Sequence, residues 1–259
     1  MRRWLYGALL SMGVLSAAAW YAPKTVKETK MSEMAKPTIV LVHGAFADGS
    51  SWNKVIPKLE KDGYTVIAVQ NPLNSYEADV ATTKRAISFV KGPVVLVGHS
   101  YGGAVITGAG AGEPNVKSLV YIAAFGMDSG EPVAAAGEKF APAPLLGALV
   151  PDAGGFLYVD RAKVHDVFCA DIPEADAKLI AATQKPLHQS CFGGTAAKAA
   201  WKDVPAWYLV CSEDRAINPE LERFYAKRMN AKTTEIKSSH VPFLSHPDEV
   251  VKIIEDAAK

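Results

Sequence analysis

Short runs of apolar residues alternate with longer amphipathic segments from residue 37 to the end of the chain. The apolar runs have strand length and lie at 39–42, 64–69, 94–97, 119–123 and 206–211, and a further short, strand-like run lies at 233–236. Continuous apolar runs of this kind are typical of strands that are buried on both faces of a sheet. The intervening segments that are long enough for crossover helices lie at 52–61, 77–89, 101–111, 220–229 and 247–258. The alternation predicts an α/β fold in which helices flank a mostly parallel sheet.

One connection between predicted strands is much longer than the others. Residues 124–204 separate two strands, whereas a simple crossover unit needs only roughly 30 residues. The segment is apolar, interrupted by proline and glycine, and partly helical in pattern, as in FAPAPLLGALVPDAGGF. We therefore predict one domain at 37–259 that carries a cap, inserted at about 124–204, over the sheet.

The amino terminus has a different pattern from the rest of the chain. It begins with MRR, continues as a nearly unbroken apolar run at 5–19, and has three alanines at the end of that run. This pattern predicts a secretory signal peptide at 1–19, followed by a linker of mixed charge at 20–36. An uncleaved membrane anchor is the alternative, although a membrane span needs about 20 apolar residues. Cleavage would leave a periplasmic or secreted protein with no membrane association.

Composition narrows the class of partner. The chain is 49% hydrophobic and 21% charged, and its formal net charge is +1. No cluster of lysines and arginines is present, which argues against nucleic acid or an anionic membrane surface as a partner, because both bind clustered cations. We expect a small-molecule partner, and the composition carries no signal for an oligomeric state.

The sharpest motif is GHSYG at 98–102, directly after one predicted strand and directly before a predicted helix. It fits the G-x-S-x-G nucleophile elbow, in which glycines allow a tight turn and the serine hydroxyl is lifted above the edge of the sheet. The following helix also directs free backbone N–H groups at this position. Ser100 is therefore the predicted nucleophile.

A serine nucleophile requires a base and a group that orients the base. Asp214 follows the predicted strand at 206–211, and His240 follows the run at 233–236. Both positions lie at carboxyl ends of parallel strands, where open α/β sheets place their sites. We predict His240 as the base and Asp214 as the orienting acid. Glu213 is the competing acid, but neighbouring residues that leave a strand point in different directions.

The remaining histidines have plainer interpretations. His246 precedes a predicted first helical turn and is expected to mark a helix entry. His43 and His99 flank glycines beside the predicted site, where we expect structural hydrogen bonds rather than proton transfer. His165 and His188 fall in the predicted cap, where they are expected to be solvated.

The loop HGAFADG at 43–49, after the first strand, is the candidate for an oxyanion hole. Such a loop presents a backbone N–H to the serine, and we assign this donor to Ala45, with Phe46 as the alternative. The N–H of Tyr101 would be the second donor. Taken alone, the loop would be interpreted as a glycine-rich turn.

Together, HGAFADGSSW, GHSYGG, CSEDRAINPELERF and SSHVPF resemble the α/β-hydrolase superfamily over residues 37–259. The resemblance is to its small capped branch, which includes plant methylesterases, hydroxynitrile lyases and bacterial α/β hydrolases. It implies a triad of Ser100, Asp214 and His240. Hydroxynitrile lyases of this branch carry a lysine just after the catalytic histidine, whereas Val241 stands here, which disfavours cyanohydrin cleavage. Haloalkane dehalogenases resemble this fold as well, but they use an aspartate nucleophile. Because position 100 is serine, dehalogenation is also disfavoured.

We therefore expect an exported serine hydrolase, a carboxylesterase that acts on small or medium apolar esters through an acyl-enzyme. Side chains expected to line the substrate pocket are Phe46, Phe140, Leu145 and Leu146. A lyase or cofactor-free perhydrolase of the same fold is one alternative. A ligand-binding protein with a vestigial triad is another.

Neither a cofactor nor a metal is expected. The glycines at 108, 110 and 112 follow a predicted helix rather than a strand, and Glu113 occupies the last glycine position of a dinucleotide loop. No cysteine and histidine spacing is typical of a zinc site. In an exported protein we expect a disulfide between Cys169 and Cys191, with two buried thiols as the alternative. Cys211 ends a predicted core strand and is expected to be buried.

Overall fold

The computed structural model describes residues 36–259. The predicted signal peptide at 1–19 and nearly all of the predicted linker at 20–36 lie outside the described residues. In the part that is described, every helix is too short or too polar to cross a bilayer.

A six-stranded sheet forms the centre of the fold, and all of its strand pairs are parallel. Its spatial order is β2-β1-β3-β4-β8-β9, the numbers following the chain. The strands are β1 (Thr38–Val42), β2 (Val66–Val69), β3 (Val94–His99), β4 (Val116–Ile122), β8 (Ala206–Cys211) and β9 (Lys232–Ile236). The parallel sheet confirms the predicted α/β fold class.

Helices cover both faces of this sheet or belong to the cap. They are α1 (Ile56–Lys61), α2 (Tyr76–Phe89), α3 (Tyr101–Ala109), α4 (Val164–Phe168), α5 (Glu174–Thr183), α6 (Pro219–Arg228), α7 (Pro242–Ser245) and α8 (Pro247–Ala257). The helix predicted at 52–61 begins later than expected, after a 3-10 turn at Gly49–Trp52. Pro57 explains this start, because proline is tolerated in the first turn of a helix but not in its interior.

The segment between β4 and β8 contains a small sheet that the sequence pattern did not predict. Its three antiparallel strands are β5 (Leu149–Pro151), β6 (Phe156–Val159) and β7 (Leu187–His188). Strands of two to four residues are too short to show a period of their own. The helices α4 and α5 complete this insertion, which we call the cap.

The central strands owe their position to their apolar sequences. Every residue of β3 and β8 is buried, whereas β9 at the edge of the sheet is mostly exposed. The carboxyl ends of β1, β3, β8 and β9 lie at one edge of the sheet because all of these strands are parallel. The predicted site residues follow these four ends.

The prediction of a disulfide between Cys169 and Cys191 is wrong, because both cysteines are free thiols and buried, as is Cys211. The Cys169 thiol lies 3.6 Å from the carbonyl oxygen of Val164. The Cys191 thiol lies against the side chain of Tyr101. The two cap cysteines therefore pack in different surroundings.

Candidate active site

Ser100 occupies the turn between β3 and α3 in a backbone conformation that L-residues rarely adopt. Its φ is +54° and its ψ is −126°. The turn is tight enough that a Cβ at Gly98 would come within 2.5 Å of the Gly102 carbonyl oxygen, and a Cβ at Gly102 would overlap the carbonyl oxygen of Val42. Glycine is thus required at both positions, because neighbouring backbone atoms lie too close to leave room for a Cβ.

Backbone hydrogen bonds hold this turn on three sides. The Ser100 N–H donates to the carbonyl of Ile122 at 3.2 Å. The Ser100 carbonyl accepts from the N–H groups of Gly103 at 2.9 Å and Phe125 at 3.1 Å. These partners belong to β4, to α3 and to the start of the cap, so the direction of the serine side chain is set before any substrate binds.

Asp214 and His240 form a buried hydrogen-bonded pair. His240 Nδ1 lies 2.5 Å from Asp214 Oδ2. The other carboxylate oxygen accepts from the N–H groups of Ala216 at 2.6 Å and Ile217 at 2.9 Å. Because Nδ1 carries the proton that faces Asp214, Nε2 is left to act as a base.

His99 places this pair next to the serine turn. Its Nε2 donates to the carbonyl of His240 at 2.8 Å, and the two rings are 4.6 Å apart. Within residues 36–259 the Ser100 hydroxyl makes no hydrogen bond to His240. Such contacts commonly tighten only when substrate is bound.

The two histidines beside the site have structural hydrogen bonds. His43 Nδ1 donates to the carbonyl of Gly44 at 2.9 Å, and its Nε2 accepts from the N–H of Asn71 at 3.1 Å. Burial lowers the pKa of His43 to about 4, and burial also lowers the pKa of His99 well below its ordinary range. Both rings are therefore neutral near pH 7 and do not compete with His240 as a base.

The predicted oxyanion donors lie around Ser100. In the part of the chain that the structure describes, the N–H groups of Ala45, Phe46 and Tyr101 donate no hydrogen bonds, so all three are available. Phe46 has a φ of +62°, and a Cβ at Gly44 of the same loop would lie 2.7 Å from Ser100 Cβ, so the 43–49 loop lies against the serine. The assignment of the first donor to Ala45, with Phe46 as the alternative, stays a prediction.

Aromatic side chains from the cap cover the imidazole. Phe168 of α4 packs edge-to-face on His240 at 5.0 Å and on Phe46 at 6.4 Å. Ser100 is 6% exposed, and His240 is 1% exposed. The reacting groups are thereby shielded from bulk water, which strengthens electrostatic interactions between them.

Two cavities lie beside residues that neighbour Ser100, Asp214 and His240, although none of these three is among the lining residues in the described chain. The first, of about 210 Å³, is bounded by Phe46, Phe168 and Val241 and reaches the polar side chains of Asp48 and Lys54. It therefore borders the residue that follows His240 and the 43–49 loop.

The second cavity, of about 600 Å³, is almost wholly apolar. It is bounded by Phe125 and Ile217, whose N–H groups contact Ser100 and Asp214, and by side chains of the cap. Of the predicted lining residues, Phe140 and Leu146 line this cavity, and Phe46 lines the first. Leu145 lines neither cavity and is buried, with its N–H bonded to the carbonyl of Arg215.

The competing residues lie away from the pair. Glu213 points outward towards Lys237 at 3.4 Å. His246 is the residue that precedes α8, as the sequence indicates. In the cap, His165 contacts the carbonyl of Ile172 at 2.9 Å, and His188 contacts Ser190 Oγ at 2.7 Å. The described residues contain no group of three potential metal ligands.

Two residues beside the site carry no motif and were missed by sequence reasoning. Asp171 of the cap accepts hydrogen bonds from Ser238 and Ser239, which directly precede His240. Glu222 is fully buried on α6. Its neighbours at helical spacing, Tyr225 and Ala226, are buried as well, and this spacing is the one signal in the sequence that Glu222 faces the core.

The sequence and the fold of this chain are similar to those of known hydrolases. A model of the alpha/beta hydrolase family matches residues 39–253. A pyrethroid hydrolase of Sphingobium wenxiniae is 26% identical, over 87% of this chain and 89% of its own length. Methylesterase 2 of Arabidopsis thaliana is 26% identical, over 83% of this chain and 93% of its own length. An extracellular alpha/beta-hydrolase from a Paenibacillus species superimposes with a TM-score of 0.73 at 21% identity, covering 86% of this chain and 99% of that one.

Proposed function

The chain belongs to the alpha/beta hydrolase family, and from that premise we propose that it is a serine carboxylesterase acting through an acyl-enzyme. The observation that carries the proposal is the buried pair of His240 and Asp214 at 2.5 Å, tied through His99 to the turn that holds Ser100. The similarity to a methylesterase and a pyrethroid hydrolase supports ester substrates.

In the proposed reaction, His240 Nε2 takes the hydroxyl proton as Ser100 Oγ attacks the ester carbonyl carbon. The N–H groups of Tyr101 and of Ala45 or Phe46 stabilise the oxyanion of the tetrahedral intermediate, and each such donor typically contributes about 3 kcal/mol. The intermediate collapses as the alcohol leaves with the proton from His240. Asp214 stabilises the imidazolium during both transfers.

Water then completes the cycle. His240 removes a proton from a water molecule that attacks the acyl carbon, and a second oxyanion forms at the same N–H groups. When this intermediate collapses, Ser100 Oγ recovers its proton from His240 and the carboxylic acid is released. The reaction consumes only the ester and one water molecule, so the cycle needs no other reactant.

The volumes of the two cavities near the proposed site support ester groups of limited size. The apolar cavity of about 600 Å³ suits an apolar group of moderate size, and the cavity of about 210 Å³ suits a smaller one. We propose small or medium apolar esters as the substrate class.

The serine mechanism is tested with nitrophenyl butyrate and a fluorophosphonate probe. We expect steady nitrophenol release and a single probe adduct on the Ser100 peptide, and Ser100→Ala should remove both without a change in Tm. Ser88→Ala, an exposed serine on α2, is the matched control and should behave as wild type. Undiminished turnover by Ser100→Ala would show that the mechanism is wrong. A wild-type protein that binds esters without turnover would favour a ligand-binding protein.

We also propose that the protein is exported to the periplasm or secreted after loss of residues 1–19. The support is the basic start followed by an apolar run and three alanines.

A further inference from the structure

Glu222 is a fully buried carboxyl group behind the proposed acid of the triad. It lies on α6, and its Oε2 accepts a hydrogen bond from the N–H of Cys211 at 3.0 Å. Its Oε1 is buried and receives no N–H or O–H donor from the described residues. The Cys211 carbonyl in turn accepts from the Asp214 N–H at 3.1 Å, so one turn after β8 brings Glu222 and Asp214 together. A fully buried carboxyl group with an unpartnered oxygen is strongly disfavoured in its charged form, so one proton is expected at this pair.

The surroundings of the two groups decide which one holds the proton. Asp214 receives the N–H groups of Ala216 and Ile217 on one oxygen and His240 Nδ1 on the other. Three donors stabilise a charged carboxylate, whereas Glu222 receives a single N–H. Burial raises the pKa of Glu222 well above its ordinary range, and the nearby charge of Asp214 raises it further. The proton therefore belongs to Glu222.

We propose that Glu222 is a positioning residue that acts as a neutral acid, donating its proton to Asp214 and holding that carboxylate against His240. The proposal rests on the proposed triad, because its effect on activity reaches the substrate only through Asp214 and His240. A glutamate at this position thus provides a hydrogen-bond donor and an ionisable group at the same time.

The other titratable groups that face Glu222 in the described chain do not neutralise its charge. Tyr208 and Cys211 of β8 lie beside it, and burial raises the pKa of both well above the ordinary range. Arg223, next to it on α6, is turned outward to Glu220 and Glu235. Ionisation of Glu222 would therefore place two carboxylates in contact without a compensating cation, which is strongly unfavourable in a buried site.

The sign of the pH effect follows from the raised pKa of the folded state. A carboxyl group of this kind contributes stability that is complete below the ordinary glutamate pKa of about 4.3 and is lost as the pH rises through the raised value. We expect the Tm of the wild-type protein, and its kcat/KM, to fall on the alkaline side of that raised value, as Glu222 ionises.

Glu222→Gln provides the test, because glutamine can accept from the Cys211 N–H and donate to Asp214 but cannot ionise. We expect kcat/KM at neutral pH within about threefold of wild type, since the hydrogen bond is kept. The alkaline falls in Tm and kcat/KM should be smaller in this variant. Glu220→Gln, an exposed neighbour on the same helix, is the matched control and should keep the wild-type pH dependence.

A second variant separates hydrogen bonding from ionisation. Glu222→Leu removes the donor and should lower kcat by about tenfold while KM changes little, because the orientation of Asp214 is lost rather than substrate contacts. An unchanged alkaline fall in the Tm of Glu222→Gln would overturn the proposal, whatever the activity. Since Tm is measured without substrate, this result is independent of whether the protein is an esterase.

Discussion

Ser100 has a strained backbone, and the residues around it compensate for the strain. A non-glycine residue in such a sparsely populated conformation typically costs about 1–3 kcal/mol. Three backbone hydrogen bonds and the close approach allowed by Gly98 and Gly102 oppose that cost. The side chain of Ser100 is consequently aimed by its backbone, so replacing the side chain should change chemistry far more than folding.

His240 and His246 can be compared directly by replacing each residue and measuring kcat/KM. His240→Ala should lower the kcat/KM for a nitrophenyl ester by several orders of magnitude, because the members of a serine triad act as a unit. His246→Ala should cost far less, since His246 precedes α8 and contacts Ser245 Oγ at 2.9 Å. Steady-state kinetics on both purified variants, with Tm as a check on folding, makes the comparison. An exchange of the two outcomes would show that the base is assigned to the wrong residue.

At the scale of elements, a cap residue holds the loop that carries His240. The Asp171 carboxylate accepts from the Ser239 N–H at 2.8 Å and from Ser238 Oγ at 3.0 Å, and Ser239 Oγ is a third donor. Partial burial raises the pKa of Asp171, but the hydrogen bonds from Ser239 outweigh it and leave the pKa below its ordinary value. The cap thereby contributes to the position of the base as well as to the walls of the site.

Asp171→Ala should lower both Tm and kcat/KM, because the Ser239 N–H loses its partner and the loop before His240 is released. Leaving a buried donor without a partner typically costs about 1–3 kcal/mol. Because the folded pKa is depressed, the contribution of Asp171 is present above the ordinary aspartate pKa of about 3.9 and is lost as the pH falls through the lower folded value. Asp171→Asn should therefore show a weaker loss of Tm on acidification than wild type.

Thermal melts from acidic to neutral pH, with kinetics at neutral pH, measure these effects. Asp203→Ala, an exposed cap aspartate paired with Lys198, is the matched control and should change neither quantity. If Asp171→Ala retained wild-type kcat/KM and Tm, the contact would be without consequence for the His240 loop.

At the scale of the whole molecule, the larger cavity lies between the cap and the segment 216–221, and the proposed substrate class depends on its size. The larger cavity is bounded by Phe140 and Leu146 of the cap and by Leu221 of α6. An apolar cavity of about 600 Å³ favours each added methylene only while the chain still fits.

The kcat/KM for nitrophenyl esters should rise over the first few acyl carbons and then fall. Each methylene that fits should add at most about 0.8 kcal/mol of binding. A homologous series from acetate to palmitate measures the profile, with Leu146→Trp as a variant that should move the maximum to shorter chains. A maximum at palmitate would indicate a lipase-like surface instead of a cavity of limited volume.

Export is also a property of the whole chain. Protein recovered from a native host should begin near Trp20 and fractionate outside the cytoplasm. Amino-terminal sequencing checks the first point, and fractionation beside a cytoplasmic marker checks the second. Recovery of a soluble cytoplasmic protein that retains Met1 would contradict the proposal.

The sequence by itself determined the architecture and the order of the candidate site residues. The apolar run at 206–211 coincides with β8, and the alternation of runs and helices led to the correct fold class. The GHSYG motif placed Ser100 at a strand-to-helix turn, and the order of strands put Asp214 and His240 at the same edge of the sheet. These features are local, because hydrophobic period and glycine placement are read within one element, and parallel strands share their carboxyl edge.

Only the tertiary structure decided which side chains meet across the elements. In the tertiary structure Cys169 and Cys191 are free thiols, and Leu145 lines neither cavity. Asp171 of the cap accepts a hydrogen bond from the N–H of Ser239. The tertiary structure also buried Glu222 against the end of β8 that leads to Asp214. Such contacts depend on how separate elements pack and on the desolvation that packing brings, and neither quantity is encoded in the period or motif of a single segment.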